Sequence, residues 1–392
     1  MNLSRLRRLV PAVLVVLFIS AARAWAKDAI FYTDASCPGG CALTRNGLID
    51  FANDYKSNPR TLVLNILNHP FNFNVLAGNG ANVTSFQFKS SELGINKTFN
   101  GANTDDIVTQ LKDYIKGSDF LTKFMRLINS GAGGQISGGP TSSMDTMVRA
   151  TFHDTMFSKL DAVEQKTAAR PAGTDPQFSG GFAQFSSDGF QGHSFGVTPG
   201  FTLDFGEKRD KKLKISIPLS QIDLGGLKTY RAGLGLQYLY PVHLGDGLTW
   251  TISPGISYAT TFSMDLPNYS GLIGGAASTS LQKDFDKLFG TAAIYYGRFN
   301  NLGGIDTQIQ ANIYGWGLQA GYRLGRRWVT AVQMVGMHER VVGFPITSYE
   351  TLANSWSYKI FDRFDVTFSV SKMFGLAKQR YVDVGLGSAW FF

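Results

Sequence analysis

The sequence lacks any apolar run long enough to cross a membrane as a helix, although 44% of its 392 residues are hydrophobic. The longest run, from Leu9 to Ala22, has about 14 residues, whereas a spanning helix needs roughly 20. Elsewhere the apolar residues are dispersed at alternate positions, so insertion into a membrane would require β-strands. Charge is also scarce, because only 17% of the residues are charged, which is less than in most soluble globular domains.

Histidine and cofactor motifs are equally sparse. The five histidines show no metal-ligand spacing and are His69, His153, His193, His243 and His338. No phosphate-binding loop, dinucleotide fingerprint or calcium loop is present. The formal charge of +8, half of which comes from four arginines before Lys27, gives no indication of nucleic-acid binding. The sequence therefore predicts no metal, no cofactor and no nucleic-acid partner.

The two cysteines lie close together in Cys37-Pro-Gly-Gly-Cys41. In an oxidising compartment, a local disulfide is the expected state of such a pair. The neighbouring segments Ala29 to Tyr32, Ala42 to Tyr55 and Thr61 to Leu67 loosely resemble the strand, helix and strand around the thioredoxin motif. That motif has two residues between its cysteines and this one has three, so a structural disulfide is favoured over redox catalysis.

The N-terminus has the three parts of a secretory signal. Arg5, Arg7 and Arg8 precede the apolar run, and the small-residue site Ala24-Trp25-Ala26 follows it. Because the run is too short to span a membrane, we expect residues 1–26 to be a signal peptide cleaved after Ala26.

The last strand-like segment, Arg380 to Phe392, alternates between two faces. One face carries Val382, Val384, Leu386, Trp390 and Phe392, and the other carries Asp383, Gly385, Gly387 and Ala389. Apolar residues opposite small or polar ones are typical of a strand between lipid and a wet lumen. The segment resembles the terminal strand of Gram-negative outer-membrane β-barrels, which typically ends in Phe. Trp390 and Phe392 would then form the membrane-insertion signal.

Residues 178–392 divide into further strands of this kind, and 44 Gly, 30 Phe and 15 Tyr suit such strands. Tyr322 to Trp328 and Tyr358 to Phe364, polar turns between aromatics, are typical of periplasmic hairpins, whereas Glu339 to Leu352 would form a longer outer loop. Counting from these turns predicts about twelve strands with both barrel ends in the periplasm, or about ten if 178–187 and 271–282 are not strands. The predicted fold class is an all-β transmembrane antiparallel barrel.

Strand parity assigns several charged and amide side chains to the barrel interior. The candidate pore-lining residues are Lys214, Arg231, Gln237, Gln319, Arg323, Arg363, Asp365 and Asp383. Facing lipid near mid-bilayer, a charged side chain would cost about 2–4 kcal/mol, so these positions indicate a wet or paired interior. Their mixed charges predict modest ion selectivity if the pore is open.

The region before the barrel has a different texture. We expect residues 27–130 to form a smaller mixed α/β region in the periplasm or as a plug, with a helix starting after Asn103. Residues 131–177 would be a Gly-rich linker followed by an amphipathic helix from Ser143 to Val163. That helix either packs in the periplasm or plugs the lumen, where Arg149, His153 and Asp154 would meet the polar wall.

One motif matches an enzyme class. Gly192-His193-Ser194-Phe195-Gly196 has the G-x-S-x-G spacing of α/β-hydrolases. That motif requires a strand-to-helix turn, but the following Val197 to Phe205 alternates as a strand. Outer-membrane phospholipases also use Ser and His in a twelve-stranded barrel, yet their Asn-containing motif is not found around any histidine. The sequence therefore predicts no enzyme activity.

Three functions remain. The favoured one is an outer-membrane pore or channel for passive or gated transport. The N-terminal region either plugs this pore or leaves it open. The second is secretion or surface display, because Ser143 to Phe392 resembles the helix and barrel of autotransporter translocators, although 27–139 is short for a passenger. The third is a non-conducting surface anchor or adhesin.

The resemblance to outer-membrane barrels also implies a location and partners. The barrel would lie in the Gram-negative outer membrane, with the N-terminal region in the periplasm or inside the barrel. The implied partners are outer-membrane lipids, the barrel-assembly machinery and periplasmic chaperones. The solute or passenger and the oligomeric state are left open.

Overall fold

The structure is a computed structural model. It describes residues 30–34, 41–44, 60–66, 69–79, 82–116, 120, 123–124, 127, 142–148, 151–152, 174–187, 190–205, 211–263, 268–302, 310–325, 327–342, 347–361, 364–375 and 379–390.

The described elements fall into an N-terminal group and a barrel group. The N-terminal strands are β1 (Ile30–Asp34), β2 (Cys41–Thr44), β3 (Leu62–Ile66), β4 (His69–Asn79), β5 (Asn82–Ser90) and β6 (Ile95–Asn100). The helices are α1 (Thr104–Lys116) and α2 (Ser143–Val148). The barrel strands are β7 (Thr174–Ser187), β8 (Phe190–Phe205), β9 (Lys211–Ser216), β10 (Leu219–Leu224), β11 (Leu227–Gly245), β12 (Leu248–Ser263), β13 (Asn268–Phe285), β14 (Leu288–Asn301), β15 (Gln310–Arg323), β16 (Trp328–Val341), β17 (Thr347–Phe361), β18 (Phe364–Phe374) and β19 (Gln379–Trp390).

The N-terminal strands form one antiparallel sheet in the order β2-β1-β3-β4-β5-β6, and α1 contacts β5 and β6. Alternate residues of β4 and β5 share a face, which places the ring of Phe73 5.8 Å from Phe86 and 5.2 Å from Phe88. The Asn103 side-chain oxygen accepts a hydrogen bond from the Asp106 N–H at 2.9 Å, which caps α1. The helix predicted after Asn103 is confirmed.

The loose resemblance to thioredoxins does not extend to the fold. Cys41 begins a strand rather than a helix, and β2 pairs antiparallel with β1. β1 in turn pairs antiparallel with β3, whereas a strand, helix and strand unit gives parallel strands. Cys37 lies outside the described residues, so the disulfide stays a prediction.

Strands β7 to β19 close into the predicted antiparallel barrel. β19 pairs with β7 from Gln379↔Ser187 to Ala389↔Gln177, which joins the two ends of the sheet. β9 and β10 are two parts of one strand, because both pair with β8 and with β11. Between them lies Pro218, which has no N–H for the ladder. The barrel therefore has twelve strands, including the two that the sequence indicates most weakly.

The two ends of the barrel differ. At the terminal rim, β7 begins, β19 ends, and short turns follow Gly245, Phe285 and Arg323. The opposite end, the loop rim, has short turns after Ser187 and Leu224 but longer connections between Asn301 and Gln310 and between Val341 and Thr347. The predicted hairpins near Tyr322 and Tyr358 lie at the terminal rim, the same end as the barrel's own chain ends, as predicted.

The outer loop predicted from Glu339 to Leu352 is wrong in extent. β16 continues to Val341 and β17 begins at Thr347, with Glu339 paired to Thr347. Polar residues that suggested a loop instead alternate between the two faces of a regular strand pair.

The outer face of the barrel is strongly apolar. Side chains on it are 58% exposed at Phe195, Ile256 and Leu386 and 62% exposed at Ile294. The rings of Trp328 and Tyr358 pack at a tilt, with centroids 4.5 Å apart, at the terminal rim, where aromatic side chains anchor a barrel in the membrane interface. A continuous apolar belt of this size is suited to lipid rather than water. Among the described helices, none is long and apolar enough to cross a membrane.

Candidate functional site in the barrel lumen

A short helical segment lies inside the barrel. We call residues 142–148, 151 and 152 the lumen helix. Its α2 portion contacts β11 and β12. Further contacts come from Gln237, Tyr295 and Tyr349, whose side chains are 4% exposed or less and face inward from three separated strands. In an eight-stranded barrel the interior is filled by side chains alone. A twelve-stranded barrel is wider, so its interior leaves room for a helix.

The lumen helix begins with a buried cap. The Ser142 hydroxyl oxygen accepts a hydrogen bond from the Asp145 N–H at 3.0 Å, and Ser142 itself is fully buried. The first N–H groups of a helix have no partner within the helix, so a buried helix start requires such a side chain. The cap allows this helix to start inside the barrel rather than in water.

The far end of the lumen helix, at Thr151, is held by hydrogen bonds across the lumen. The Thr151 hydroxyl donates to the Met147 carbonyl at 2.9 Å and can accept from the Tyr295 hydroxyl, 3.4 Å away. The Gln237 amide nitrogen donates to the Thr151 carbonyl. These bonds tie one helix residue to β11 and β14.

The wall is thinned where Thr151 approaches. A Cβ on Gly255 of β12 would lie 3.5 Å from the Thr151 methyl and 2.8 Å from the Leu236 carbonyl oxygen. Glycine is thus required here by the strand ladder, whereas Thr151 would only come into ordinary van der Waals contact with a Cβ.

Apolar side chains fill the loop-rim half of the lumen. Met144, Met147, Val148 and Phe152 of the lumen helix are 1% exposed or less. The Phe152 ring lies 5.1 Å from that of Tyr295. Inward-facing apolar residues surround them, among them Phe185, Phe190, Ile222, Leu224, Leu227, Leu272, Phe299, Ile313, Met337 and Val341. This half of the barrel is a packed hydrophobic core rather than a water-filled channel.

A polar cluster near the loop rim fixes the start of the helix. The Tyr349 hydroxyl lies 3.2 Å from Asp145 Oδ1 and 3.3 Å from Glu339 Oε1. A phenol has one hydrogen, so it donates to one carboxylate at a time. Arg231, only 4% exposed, is close enough to Asp145 to attract it electrostatically. We call Asp145, Tyr349, Glu339 and Arg231 the Asp145 cluster, and it couples the helix to β11, β16 and β17.

The terminal-rim half of the lumen is polar instead. Its inward side chains are small hydroxyls and amides, including Thr251, Ser253, Ser278, Ser280, Gln282, Thr291, Gln319, Gln333, Ser355 and Ser357, all buried. Within the described part of the chain, Ser253, Ser278, Thr291, Gln319 and Gln333 have buried polar atoms without a hydrogen-bond partner. Buried polar groups of this kind normally pair with water or another polar group, so this half of the lumen is polar in character.

The helix has a defined direction along the barrel. Asp145 meets Tyr349, two positions from the loop-rim end of β17, whereas Thr151 meets Gln237 and Tyr295 near the middle of their strands. The chain therefore proceeds from the loop rim toward the terminal rim, where Thr174, the next described residue, begins β7.

Most of the candidate pore-lining residues face the interior. Lys214, Arg231, Gln237 and Gln319 are 7% exposed or less. Asp365 and Asp383 are half-buried at inward positions. Arg323 lies at the terminal rim, where its Nη2 is 2.7 Å from Asp284 Oδ1. That these side chains line an open pore stays a prediction, because Arg231 and Gln237 meet the lumen helix instead.

Other predicted site residues lie outside the described part. These are Arg149, His153, Asp154, Arg363, Cys37 and Phe392, while Cys41 and Trp390 are described by backbone alone as the ends of β2 and β19. Their proposed roles as plug contacts, pore lining, disulfide and insertion signal therefore stay predictions.

Sequence reasoning placed Arg231 and Gln237 inside the barrel but missed the other residues that join the helix to the wall. Asp145 lies between Met144 and Met147 on an otherwise apolar helix, a position at which a buried carboxylate needs a partner. Tyr349 and Glu339 fall on inward positions of paired strands, within the segment that the sequence predicts as a loop. The alternation of inward and outward residues continues through that segment, and this alternation identifies Tyr349 and Glu339 as inward-facing.

The hydrolase-like motif lies within β8, as the alternation predicts. Gly192, Ser194 and Gly196 pair with β7 and β10 in regular register, so no strand-to-helix turn is present there. Among the described residues, no group of His, Cys, Asp and Glu could hold a metal ion.

A closed twelve-stranded antiparallel wall, an apolar outer belt with aromatic anchors and a partly polar interior define an outer-membrane β-barrel.

No protein-family profile and no curated protein matches the chain. The structure is similar to the translocator domain of autotransporter NalP from Neisseria meningitidis, with 12% identity and a TM-score of 0.39 over 66% of this chain and 100% of that chain. It is also similar to an outer-membrane channel from Pseudomonas putida F1, with 9% identity and a TM-score of 0.45 over 58% of this chain and 98% of that chain. The KdgM porin has 13% identity and a TM-score of 0.35 over 55% of this chain and 99% of that chain. These TM-scores are all below 0.5, so the class rests on this chain's own strand pairing and surfaces.

Proposed function

We propose that the barrel anchors the N-terminal region in the outer membrane and displays it at the cell surface. The observation that carries this proposal is the direction of the lumen helix, which starts at the loop rim while the barrel's chain ends lie at the terminal rim. In bacterial barrels the short turns are periplasmic and the opposite end faces outward. The residues before Ser142 then emerge on the outside.

The hydrophobic core supports the same placement. Buried side chains of the N-terminal sheet, such as Phe86, belong to one cluster with Met144 and Phe152 of the lumen helix. The same cluster includes Phe190 and Leu227 at the loop rim. A continuous core of this kind favours an N-terminal sheet seated at the loop rim. It argues for the surface rather than for the periplasm or the barrel interior, the two locations that the sequence suggests.

Gated transport is the second candidate, and the polar half of the lumen favours it. Its hydroxyl and amide groups suit a water-filled path, but the packed loop-rim half blocks that path while the helix is in place. Conduction would therefore require the helix to leave. In this second function the helix acts as a plug.

Epitope insertion tests the display proposal. One tag is inserted in the full-length protein at the exposed turn 91–94 of the N-terminal sheet. The matched control carries the same tag after the exposed Gly325 at the terminal rim. We expect antibody to label the first tag on intact cells and the second only after the outer membrane is permeabilised.

The opposite labelling pattern would overturn the display proposal. Labelling of both tags only after permeabilisation would place the N-terminal sheet in the periplasm and leave gated transport as the better candidate. Planar-bilayer recordings then separate the two functions, because display predicts a lumen that stays closed and gating predicts openings under a physiological stimulus such as voltage.

A further inference from the structure

The outer wall carries a row of cationic side chains near the loop rim. Arg298 of β14 pairs in register with Asn312 of β15, and Asn312 pairs with Arg340 of β16. All three occupy outward positions, and both arginines are exposed. Two strand spacings place the arginine Cα atoms about 10 Å apart, within reach of a common ligand above Asn312.

Directly below this row is an aromatic row at the level of a membrane interface. Tyr296, Tyr314 and His338 are in register on the same three strands. The rings of Tyr296 and Tyr314 are 5.2 Å apart, and those of Tyr314 and His338 are 6.3 Å apart. Outward positions follow one another at about 7 Å along a strand, so the guanidinium groups lie at headgroup depth.

We call Arg298, Asn312 and Arg340 the cationic row. Its side chains carry hydrogen-bond donors that remain open to a ligand. Among the described residues, neither Arg298 nor Arg340 makes a side-chain hydrogen bond or an ion pair. The Asn312 oxygen accepts from the Tyr296 hydroxyl at 3.0 Å, which turns the Asn312 amide NH₂ outward as another donor. Two guanidinium groups and one amide NH₂ group therefore lie together on the outer face of the barrel.

No carboxylate on the neighbouring described strands competes for these donors. On β13, the residue in register with Arg298 is Gly275. On β17, the outward acid Glu350 is in register with Gly336, four positions below Arg340 and about 13 Å away along the strand. Glu339 is 1% exposed and faces the lumen.

We propose that Arg298, Asn312 and Arg340 bind the phosphate of a phosphorylated membrane-lipid headgroup, whose acyl chains lie against the aromatic and apolar rows below. Guanidinium groups match phosphate oxygens in geometry and charge, and basic clusters beside membrane-spanning elements bind anionic headgroups. The binding does not depend on which rim faces outward. Its assignment to the outer leaflet does, and that assignment rests on the proposed function.

Native mass spectrometry of the purified full-length protein tests the proposal. The protein in zwitterionic detergent is titrated with diphosphorylated lipid A and, in parallel, with the same lipid lacking phosphates. The double variant R298Q/R340Q is compared with K228Q/K372Q, which removes two exposed outward cations at the same rim but on distant strands. N312A removes the amide donor, together with the acceptor of the Tyr296 hydroxyl, and leaves both arginines in place.

We expect R298Q/R340Q to reduce the apparent affinity for the phosphorylated lipid about tenfold. K228Q/K372Q should change it less than twofold, N312A should reduce it a few-fold, and the dephosphorylated lipid should bind weakly to every variant. Equal losses in the two double variants would show diffuse attraction and overturn the site. Displacement of the lipid by millimolar inorganic phosphate would also overturn it, because the site would then bind a soluble anion. The apparent size of each variant on gels before and after heating confirms a folded barrel.

Discussion

Replacing Phe152 with alanine should release the lumen helix from the wall. Phe152 is fully buried and its ring lies 5.1 Å from that of Tyr295, so truncation removes an aromatic contact and leaves a cavity. Changes from Phe to Ala at such positions cost about 3–5 kcal/mol. Since each 1.4 kcal/mol is a factor of ten, the ratio of released to docked helix should rise by about 100-fold or more.

The assay is single-channel recording of the full-length protein in planar bilayers. Unmodified protein should stay closed, and Phe152→Ala should open at least about 100 times more often if docking alone closes the lumen. The matched control is Leu386→Ala, which removes a large apolar side chain that is 58% exposed on the outer wall. Equal opening frequencies in the two variants would refute the conclusion that this helix closes the barrel.

Three further predictions concern separate parts of the molecule. Asp145→Asn and Tyr349→Phe should each weaken helix docking, and the double variant should cost less than their sum by about 1 kcal/mol, measured as a double-mutant cycle on opening frequency. Gly321→Val should lower the temperature at which the barrel unfolds in detergent, because a Cβ there would lie 2.0 Å from the Phe289 ring. Adding Phe289→Ala should restore part of the lost unfolding temperature. If nothing is restored, the described packing of these two residues is contradicted. Phe86 is 1% exposed, so Phe86→Ala should lower the free energy of unfolding of the N-terminal sheet by about 3–5 kcal/mol and make the sheet sensitive to protease. The unfolding temperature of the barrel should stay unchanged. A parallel loss of stability in both parts would show that they unfold as one unit.

Alternation along the chain was sufficient to predict the barrel. It is a local property, so each strand could be identified from its own residues, such as exposed Phe195 and buried Thr202 in β8. The twelve-strand count followed because aromatic turns marked one rim. The loop assigned around Glu339 failed because polar side chains occur both in loops and on inward strand positions, and only the pairing with β17 distinguishes the two.

The position of the lumen helix could not be obtained in the same way. Its apolar stripe of Met144, Met147 and Phe152 suits any apolar surface, whether in the periplasm or inside a barrel. The surface it meets is built from residues far apart in the chain, such as Phe190 and Val341, which come together only when the wall closes. The sequence predicted the helix and left its partner undecided.

The closed wall also constrains the order of events in biogenesis. A single helix, about 10–12 Å wide with its side chains, occupies the loop-rim half of the lumen. A six-stranded sheet with a helix packed on it is too wide to follow that route once β19 has joined β7. If the N-terminal region is displayed, its residues must cross as an unfolded chain or before this seam is made. Formation of the six-stranded sheet on the far side then acts as a ratchet that prevents the chain from slipping back.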